Sequence, residues 1–267
     1  MKTVRRAPIP VLAPFVASLG YFEGEFAHAR EARVPTGCLQ LVVNLYEDRV
    51  RWYDGPGYAT GHTVAGTVLC GTTPGPVGID TADQRAVVCV AFRPGGGYPF
   101  FVPPAAELND PVVPLDALWG PAAARLRERL LAAPTPRAAL AVIEQTLCAQ
   151  AIRPLEADPT VAAAVRGLER GLPVAAVTER LGGSQRTLVR RFAAQVGLSP
   201  KRFARLRRMH RLLASLPGRA HLDWAGLAVE HGYFDQAHLI HDFRAITGTT
   251  PGGYRPRRPE DHNHLPL

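Results

Sequence analysis

The stretch GYFDQAHLIHDF, residues 232–243, has the pattern of a capped amphipathic helix that follows a glycine turn. Asp235 is a favourable N-cap residue, and Leu239 and Phe243 follow at i, i+4 spacing, which places them on one helical face. A helix of this kind occurs in many globular proteins. The stretch therefore gains a functional meaning only from the rest of the chain.

The same pattern occurs earlier in the chain, at a fixed offset of 51 residues. SQRTLVRRFAAQVGLSPKRF begins at Ser184, and DQAHLIHDFRAITGTTPGGY begins at Asp235. The positions that match in cap, apolar, glycine or proline character are Ser184 and Asp235, Gln185 and Gln236, Leu188 and Leu239, Phe192 and Phe243, Gly197 and Gly248, Pro200 and Pro251, and Phe203 and Tyr254. Each copy follows a short helical segment and a glycine turn, and the second turn is one residue longer. This arrangement is the sequence form of a helix-turn-helix.

Periodicity and the glycine and proline breaks predict that the C-terminal part of the chain is entirely helical. The predicted helices cover residues 160–170, 173–182, 184–196, 199–215, 222–231 and 235–247. Duplicated helical pairs also build solenoids and bundles, but two copies are too few for a solenoid. Outward apolar residues on the two capped helices argue against a plain bundle.

The outward residues of the two capped helices suit the edges of DNA bases. Arginine pairs with guanine, glutamine pairs with adenine, and small apolar side chains touch the thymine methyl group. A recognition helix makes such contacts with its N-terminal half. The candidate DNA-binding residues are Gln185, Arg186, Val189 and Arg190 in the first helix, and Gln236, Ala237, Ile240 and His241 in the second. The predicted partner is double-stranded promoter or operator DNA.

The positive charge of the chain is concentrated in this helical part. Residues 1–159 hold 14 Lys and Arg against 15 Asp and Glu, whereas residues 160–258 hold 17 against 6. A basic segment of this kind suits a polyanion, because each neutralised phosphate releases counterions. A basic face that serves solubility is the alternative. The basic residues of the helix over 199–215 are expected to divide between phosphate contacts and solvent; they are Lys201, Arg202, Arg205, Arg207, Arg208 and Arg211.

The N-terminal part has the pattern of a small β-barrel followed by helices. Short runs rich in Val, Leu and aromatic residues, such as CLQLVVNLY and RAVVCVAF, are separated by Gly, Pro and Asp turns. Leu140, Ile143 and Leu147 form an apolar stripe on a later helix, which packs on the barrel or pairs with a second copy of the chain. The predicted domain boundaries are 1–153 for the barrel and its helices, 154–159 for a linker, 160–258 for the helical domain and 259–267 for a flexible tail.

Residues 160–258 resemble the C-terminal DNA-binding domain of the AraC/XylS family of transcription regulators, most specifically in GYFDQAHLIHDFRAITGTTPGGYR. The resemblance implies two helix-turn-helix subdomains joined by a long helix, with recognition helices that enter successive major grooves. The N-terminal part resembles in outline the cupin-like β-barrel sensing domains attached to this family. The resemblance therefore implies an α+β chain, a small-molecule effector in the barrel, contact with RNA polymerase and a transcriptional role.

Other classes of function receive less support from the sequence. A cupin-type enzyme with a DNA-binding tail needs clustered metal ligands, but His28 and His62 are isolated and the four cysteines show no CxxC spacing. We therefore expect no catalytic residue, metal or cofactor. No run of about 20 apolar residues is present, and the chain is expected to be cytoplasmic. A non-specific nucleoid-type DNA binder is a further alternative. The effector, the operator, the direction of regulation and homodimer formation are left open.

Overall fold

Two facing antiparallel sheets form the N-terminal part of the chain in the computed structural model, which describes residues 2–108, 110–218 and 222–267. The strands are β1 (Lys2–Arg6), β2 (Val16–Glu23), β3 (Arg30–Arg33), β4 (Gln40–Asn44), β5 (Val50–Asp54), β6 (Thr60–Val64), β7 (Thr67–Cys70), β8 (Val77–Asp80), β9 (Ala86–Phe92), β10 (Val112–Pro114) and β11 (His264–Pro266). The first sheet has the order β1-β2-β9-β4-β7-β10, and the second has the order β11-β3-β8-β5-β6. This barrel-like pair of sheets agrees with the predicted α+β class.

Alternation along the strands gives the first sheet two different faces. Val88 and Val90 of β9 are buried against helices, whereas Val87 and Cys89 of the same strand face the second sheet. The helices that cover the outer face are α1 (Asp116–Trp119), α2 (Pro121–Leu131) and α3 (Pro136–Ala149). Thr135 caps α3 by accepting a hydrogen bond from the N–H of Ala138, as the sequence predicts for a cap ahead of a first-turn proline.

The apolar stripe of α3 packs into this core. Leu140, Ile143 and Leu147 are each fully buried among the residues that join α3 to the first sheet. The alternative in which this stripe pairs with a second copy of the chain is therefore wrong, because none of the three side chains reaches the surface.

The C-terminal helices begin and end within two residues of their predicted positions. They are α4 (Pro159–Glu169), α5 (Val174–Arg180), α6 (Gln185–Val196), α7 (Pro200–Ser215), α8 (Trp224–Glu230) and α9 (Gln236–Thr247). The turn between α8 and α9 is one residue longer than the turn between α5 and α6, as predicted. The ends are well predicted because caps and glycine turns are local signals.

The 51-residue repeat is also a repeat in packing. Phe192 of α6 meets Phe203 of α7 edge to face, with ring centroids 5.4 Å apart. The equivalent pair in the second copy, Phe243 and Tyr254, has the same type of contact at 5.5 Å. Such aromatic pairs add to the stability that burial alone supplies. The two helix-turn-helix units are therefore held by equivalent contacts.

The helical core extends into the second sheet through β3. Ala32 and Val34 are buried in the same apolar cluster as the side chains of α4 to α9. His210 of α7 approaches the carbonyl oxygen of Pro35 at 2.7 Å through its Nε2. Burial lowers the pKa of His210 to about 4, so the imidazole is neutral at neutral pH. The two parts of the chain share a continuous apolar contact.

The last residues form part of the N-terminal sheet, which differs from the predicted flexible tail. β11 pairs with β3, so that His264 lies opposite Arg33 and Leu265 lies opposite Ala32. Leu265 is buried in the helical core. The predicted tail lacks an obvious hydrophobic pattern, and its order comes from contacts with residues more than 200 positions away. We name residues 255–267 the C-terminal segment.

A buried carboxylate fastens this segment to the sheet. Glu31 of β3 is fully buried, and its oxygens accept hydrogen bonds from Arg257 at 3.1 and 3.2 Å and from Gln84 at 2.9 Å. His264 lies 2.6 Å from the same carboxylate. Burial alone would raise the pKa of Glu31, but the hydrogen bond and attraction of His264 and the charge of Arg257 lower it to about 2.

His28 and His62, the isolated histidines of the sequence, each pair with a carboxylate in this part of the fold. The ring of His28 lies 3.2 Å from Glu31, and that of His62 lies 3.0 Å from Asp54. The thiols of Cys38, Cys70, Cys89 and Cys148 are free. None of the helices in the described ranges has the length and hydrophobicity that a bilayer span needs.

We predict that Glu31→Gln lowers the free energy of unfolding at pH 7 by about 3 kcal/mol, because it leaves Arg257 without its buried partner. The folded-state pKa is below the usual value of 4.5, so the Glu31 contribution is complete above that pH and is lost as the pH falls towards about 2. Urea denaturation of both proteins at several pH values measures the difference. The exposed Glu25→Gln is the matched control, and equal effects of the two substitutions would contradict the prediction.

Candidate nucleic-acid interface

α6 and α9, the expected recognition helices, begin with side-chain caps, as the sequence predicts. Ser184 Oγ accepts a hydrogen bond from the N–H of Thr187 at 3.2 Å, and the Asp235 carboxylate accepts one from the N–H of His238 at 2.7 Å. These bonds satisfy N–H groups that the first turn leaves without helical partners. The caps therefore stabilise the first turns of α6 and α9.

The predicted contact residues of α6 lie on its accessible face. Gln185, Arg186 and Arg190 are exposed, and Val189 is half-buried between them and the core. On the opposite face, Leu188 is buried in the helical core, as the period of 3.6 residues requires. The face thus combines an amide and a small apolar group with two arginines that have no ion pair in the described part of the chain.

In α9, three of the four predicted residues line a shallow depression. Gln236, Ala237 and His241 are exposed, whereas Ile240 is half-buried and packs against the helical core. The depression is lined by Ala237, Ile240, His241, Arg244 and Ala245. Sequence reasoning missed Arg244 and Ala245, which follow Ile240 and His241 by four positions each. Extension of the outward face by one helical turn identifies both.

Two basic residues of α7 hold α9 in position. Asp242 of α9 is 2% exposed, and it accepts hydrogen bonds from Arg205 at 2.9 Å and from Arg208 at 3.2 Å. Arg208 also donates to the carbonyl oxygen of Gly232 and lies over the ring of Tyr233 at 4.2 Å. These two arginines therefore connect α7 to the second helix-turn-helix unit.

The other basic residues of α7 divide between internal contacts and the surface. Arg207 lies 3.5 Å from the Glu169 carboxylate of α4, and Arg211 donates to the carbonyl oxygen of Glu169 at 3.0 Å. Lys201 and Arg202 are exposed. In the described ranges, the basic side chains of the helical domain that have no hydrogen bond or ion pair and are exposed are Arg166, Arg170, Arg180, Arg186, Arg190, Lys201, Arg202 and Arg244.

A carboxylate at the start of α4 positions α6 in a similar way. Asp158 caps α4, and its second oxygen accepts hydrogen bonds from Arg191 at 2.7 Å and from Gln195 at 2.9 Å. Burial tends to raise the pKa of Asp158, but the N–H of Val161 and the side chains of Arg191 and Gln195 lower it overall. Arg191 is thereby fixed beside the outward face of α6.

The N-terminal domain contacts both recognition helices at their C-terminal ends. Gly197 and Gly248 cap α6 and α9 in the left-handed conformation, with φ values of 84° and 74°. A Cβ at Gly197 would collide with the Thr72 side chain and lie 3.1 Å from the carbonyl oxygen of Ala105. A Cβ at Gly248 would lie 2.9 Å from both Pro76 Cγ and Tyr58 Oη. The loop of residues 71–76 therefore reaches from one cap to the other.

A cavity of about 450 Å³ lies between the two sheets. Its walls include Cys70 at the end of β7 and Ile79 in β8, the two strands that the 71–76 loop connects. Residues of the C-terminal segment, including Arg257 and His264, line the cavity on another side. The cavity and the recognition helices are thus contacted by the same elements.

Comparisons with known proteins agree with this architecture. Residues 177–257 match a family described as a helix-turn-helix domain, and residues 4–114 match a domain of unknown function, DUF6597. The chain resembles the structure of wild-type ToxT from Vibrio cholerae with a bound unsaturated fatty acid, at 10% identity, a TM-score of 0.43 and 94% coverage of each chain. It also resembles ToxT bound to (E)-4-(8-methylnaphthalen-1-yl)but-3-enoic acid, at 7% identity, a TM-score of 0.45 and coverage of 95% of this chain and 98% of that chain. The chain has no match among curated proteins.

We predict that Asp242→Ala lowers the free energy of unfolding by about 2 kcal/mol, because it leaves two arginines without their buried partner. The value is reduced from that of a fully buried pair because Arg205 is partly exposed. Urea denaturation of the full chain measures it. The control Glu179→Ala removes an exposed charge of the same domain and should change stability by less than about 0.5 kcal/mol. A neutral Asp242→Ala would mean that the contacts of α7 with α9 do not position the helix.

Proposed function

We propose that this chain is a transcription regulator of the AraC type, and that it reads two adjacent major-groove segments with α6 and α9 of its helix-turn-helix domain. The duplicated, equally capped and equally packed helices support this mode of binding. Both helices present their first two turns to solvent, and a recognition helix uses this part to reach base edges. We place the main sequence choice in α6.

In this proposal, the outward side chains of α6 and α9 divide the reading of bases. Arg186 and Arg190 are assigned to guanines, and Gln185 to an adenine or a backbone contact. The half-buried Val189 and Ile240 and the small Ala237 are assigned to thymine methyl groups. Gln236 and His241 supply hydrogen bonds at the second segment. The two faces differ in every position except the first glutamine, which favours a defined sequence over non-specific binding.

The exposed basic residues outside these faces are assigned to phosphates. Lys201 and Arg202 lie in the first turn of α7, shortly after the Gly197 C-cap of α6, and Arg244 follows the reading face of α9. Phosphate contacts position a protein on the duplex and carry no sequence information themselves. Arg205 and Arg208, whose guanidinium groups are bound to Asp242, are excluded from this role in our proposal.

We further propose that the N-terminal domain binds an effector in the cavity between its sheets. The loop of residues 71–76 joins two strands of the cavity wall and contacts the caps of both recognition helices. A ligand that shifts β7 or β8 would therefore change how α6 and α9 are presented to DNA. In this route, the effector acts on α6 and α9 through the loop, without a movement of the residues that link the two domains. Contact with RNA polymerase and homodimer formation stay predictions from the family resemblance.

We predict that Arg190→Ala weakens binding to the selected operator by about 1–3 kcal/mol and relaxes base preference at one position in the first half of the site. His241→Ala should have the corresponding effect in the second half. Selection from random duplexes identifies the operator, and titration of wild type and variants against the operator and a scrambled duplex measures the effects.

Arg166→Ala is the matched control, because Arg166 is an exposed arginine of α4 without an ion pair in the described part of the chain. It should weaken binding to both duplexes by a similar small factor. If Arg190→Ala and His241→Ala also act equally on both duplexes, the assigned reading faces are wrong. If selection enriches no sequence at all, non-specific binding is the correct function.

A further inference from the structure

We propose that the cavity between the two sheets binds a small organic anion with an apolar body, and that the guanidinium group of Arg33 holds the anionic group. The binding site is argued from the cavity itself. Only the statement that this anion acts as an effector rests on the proposed function.

The walls of the cavity are largely apolar. β-Strands from both sheets contribute branched aliphatic side chains at alternate positions, and they are Val42, Val50, Val68, Ile79, Val87 and Val112. A volume of about 450 Å³ is in the range of sites that enclose small ligands. An apolar lining of this size favours a hydrocarbon or aromatic body over a sugar, whose hydroxyl groups would lose their hydrogen bonds.

Arg33 differs from the other charged residues of these walls, such as Asp80, Asp83 and Asp261, which are paired with arginines. The residue is only 9% exposed, its side chain lines the cavity, and it has no hydrogen bond or ion pair with any described residue. A buried charge without a partner is costly, so such groups are usually paired. The other arginines of the interior wall obey this rule: Arg51 binds Asp83, and Arg257 binds Glu31. Arg33 therefore has no counter-ion among the described residues, and its guanidinium group is open to the cavity, since none of its nitrogens is a buried atom without a hydrogen-bond partner.

Arg5 adds a second positive charge at the edge of the same cavity. Arg5 is exposed, and it also has no ion pair in the described ranges. Burial raises the pKa of the Cys89 thiol, which lines the cavity from the first sheet, while the charges of Arg5 and Arg33 act against this effect. Both arginines are therefore close to one point of the first sheet. Glu260, which also lines the cavity, is an exposed acidic residue that has no ion pair in the described ranges.

The position of Arg33 on β3 connects this site with the DNA-binding domain. Arg33 faces the cavity, whereas its neighbours Ala32 and Val34 face the helical core. Arg33 also lies opposite His264 of β11, so the C-terminal segment closes the cavity beside it. An anion on Arg33 would thus bind one strand away from the helices that read DNA.

The test measures the thermal unfolding of the full chain with two matched pairs of probes: octanoate against octanol, and benzoate against benzyl alcohol. At least one of the two carboxylates should raise the melting temperature of the wild type more than its alcohol does. Arg33→Gln should weaken the affinity for that carboxylate at least tenfold, as expected for the loss of a charge-assisted hydrogen bond. Arg30→Gln, on the exposed end of the same strand, should retain it.

A second measurement does not depend on the choice of probe. Without added ligand, Arg33→Gln should not lower the melting temperature, because the substitution breaks no hydrogen bond or ion pair among the described residues. If Arg33→Gln lowers the melting temperature and neither carboxylate acts differently from its alcohol, the proposal is wrong. Binding of a carboxylate without any change in operator affinity supports the anion site and contradicts the effector role. Neither result depends on which residues contact DNA.

Discussion

The buried carboxylate of Glu31 is the interaction on which the arrangement of the two domains depends. It lies at the centre of β3, and a carboxylate at zero exposure is stable only with cationic or hydrogen-bonding partners around it. Gln84 comes from the N-terminal domain itself, but Arg257 and His264 come from residues beyond the last helix. The need to neutralise one buried charge therefore brings the end of the chain back to its first domain. With β11 in place, the C-terminal end of the helical domain is connected to β3.

The basic character of the helical domain serves two purposes that composition alone does not separate. The excess of arginine suggests a polyanion, yet Arg205, Arg208 and Arg191 are bound to the carboxylates Asp242 and Asp158 inside the domain. Those pairs fix α6 and α9 relative to their neighbours, and in our proposal the exposed basic residues remain for DNA. Internal pairing thus reduces the number of basic residues that are free to bind phosphates. It also fixes the orientation of the outward faces of α6 and α9.

Sequence reasoning predicted local features well and distant contacts poorly. Caps, glycine turns and the apolar period set the helices, because each signal acts within about one turn. The same period placed Arg186, Arg190, Gln236 and His241 on accessible faces. The pairing of β11 with β3 joins residues more than 200 positions apart, and no local pattern encodes such a register. The missing partner of Arg33 was equally hidden, since a sequence shows a charge but not the absence of its counter-ion.

Two glycines of the repeat carry a constraint that is both local and global. Gly197 and Gly248 adopt positive φ values that end α6 and α9, so a side chain there is strained by the backbone alone. At each site, a Cβ would also meet the N-terminal domain, through Thr72 or through Pro76. The loop of residues 71–76 thus contacts the C-terminal end of both helices of the repeat. Because this loop connects β7 and β8, which line the cavity, the spacing of the two recognition helices and the shape of the cavity cannot vary independently.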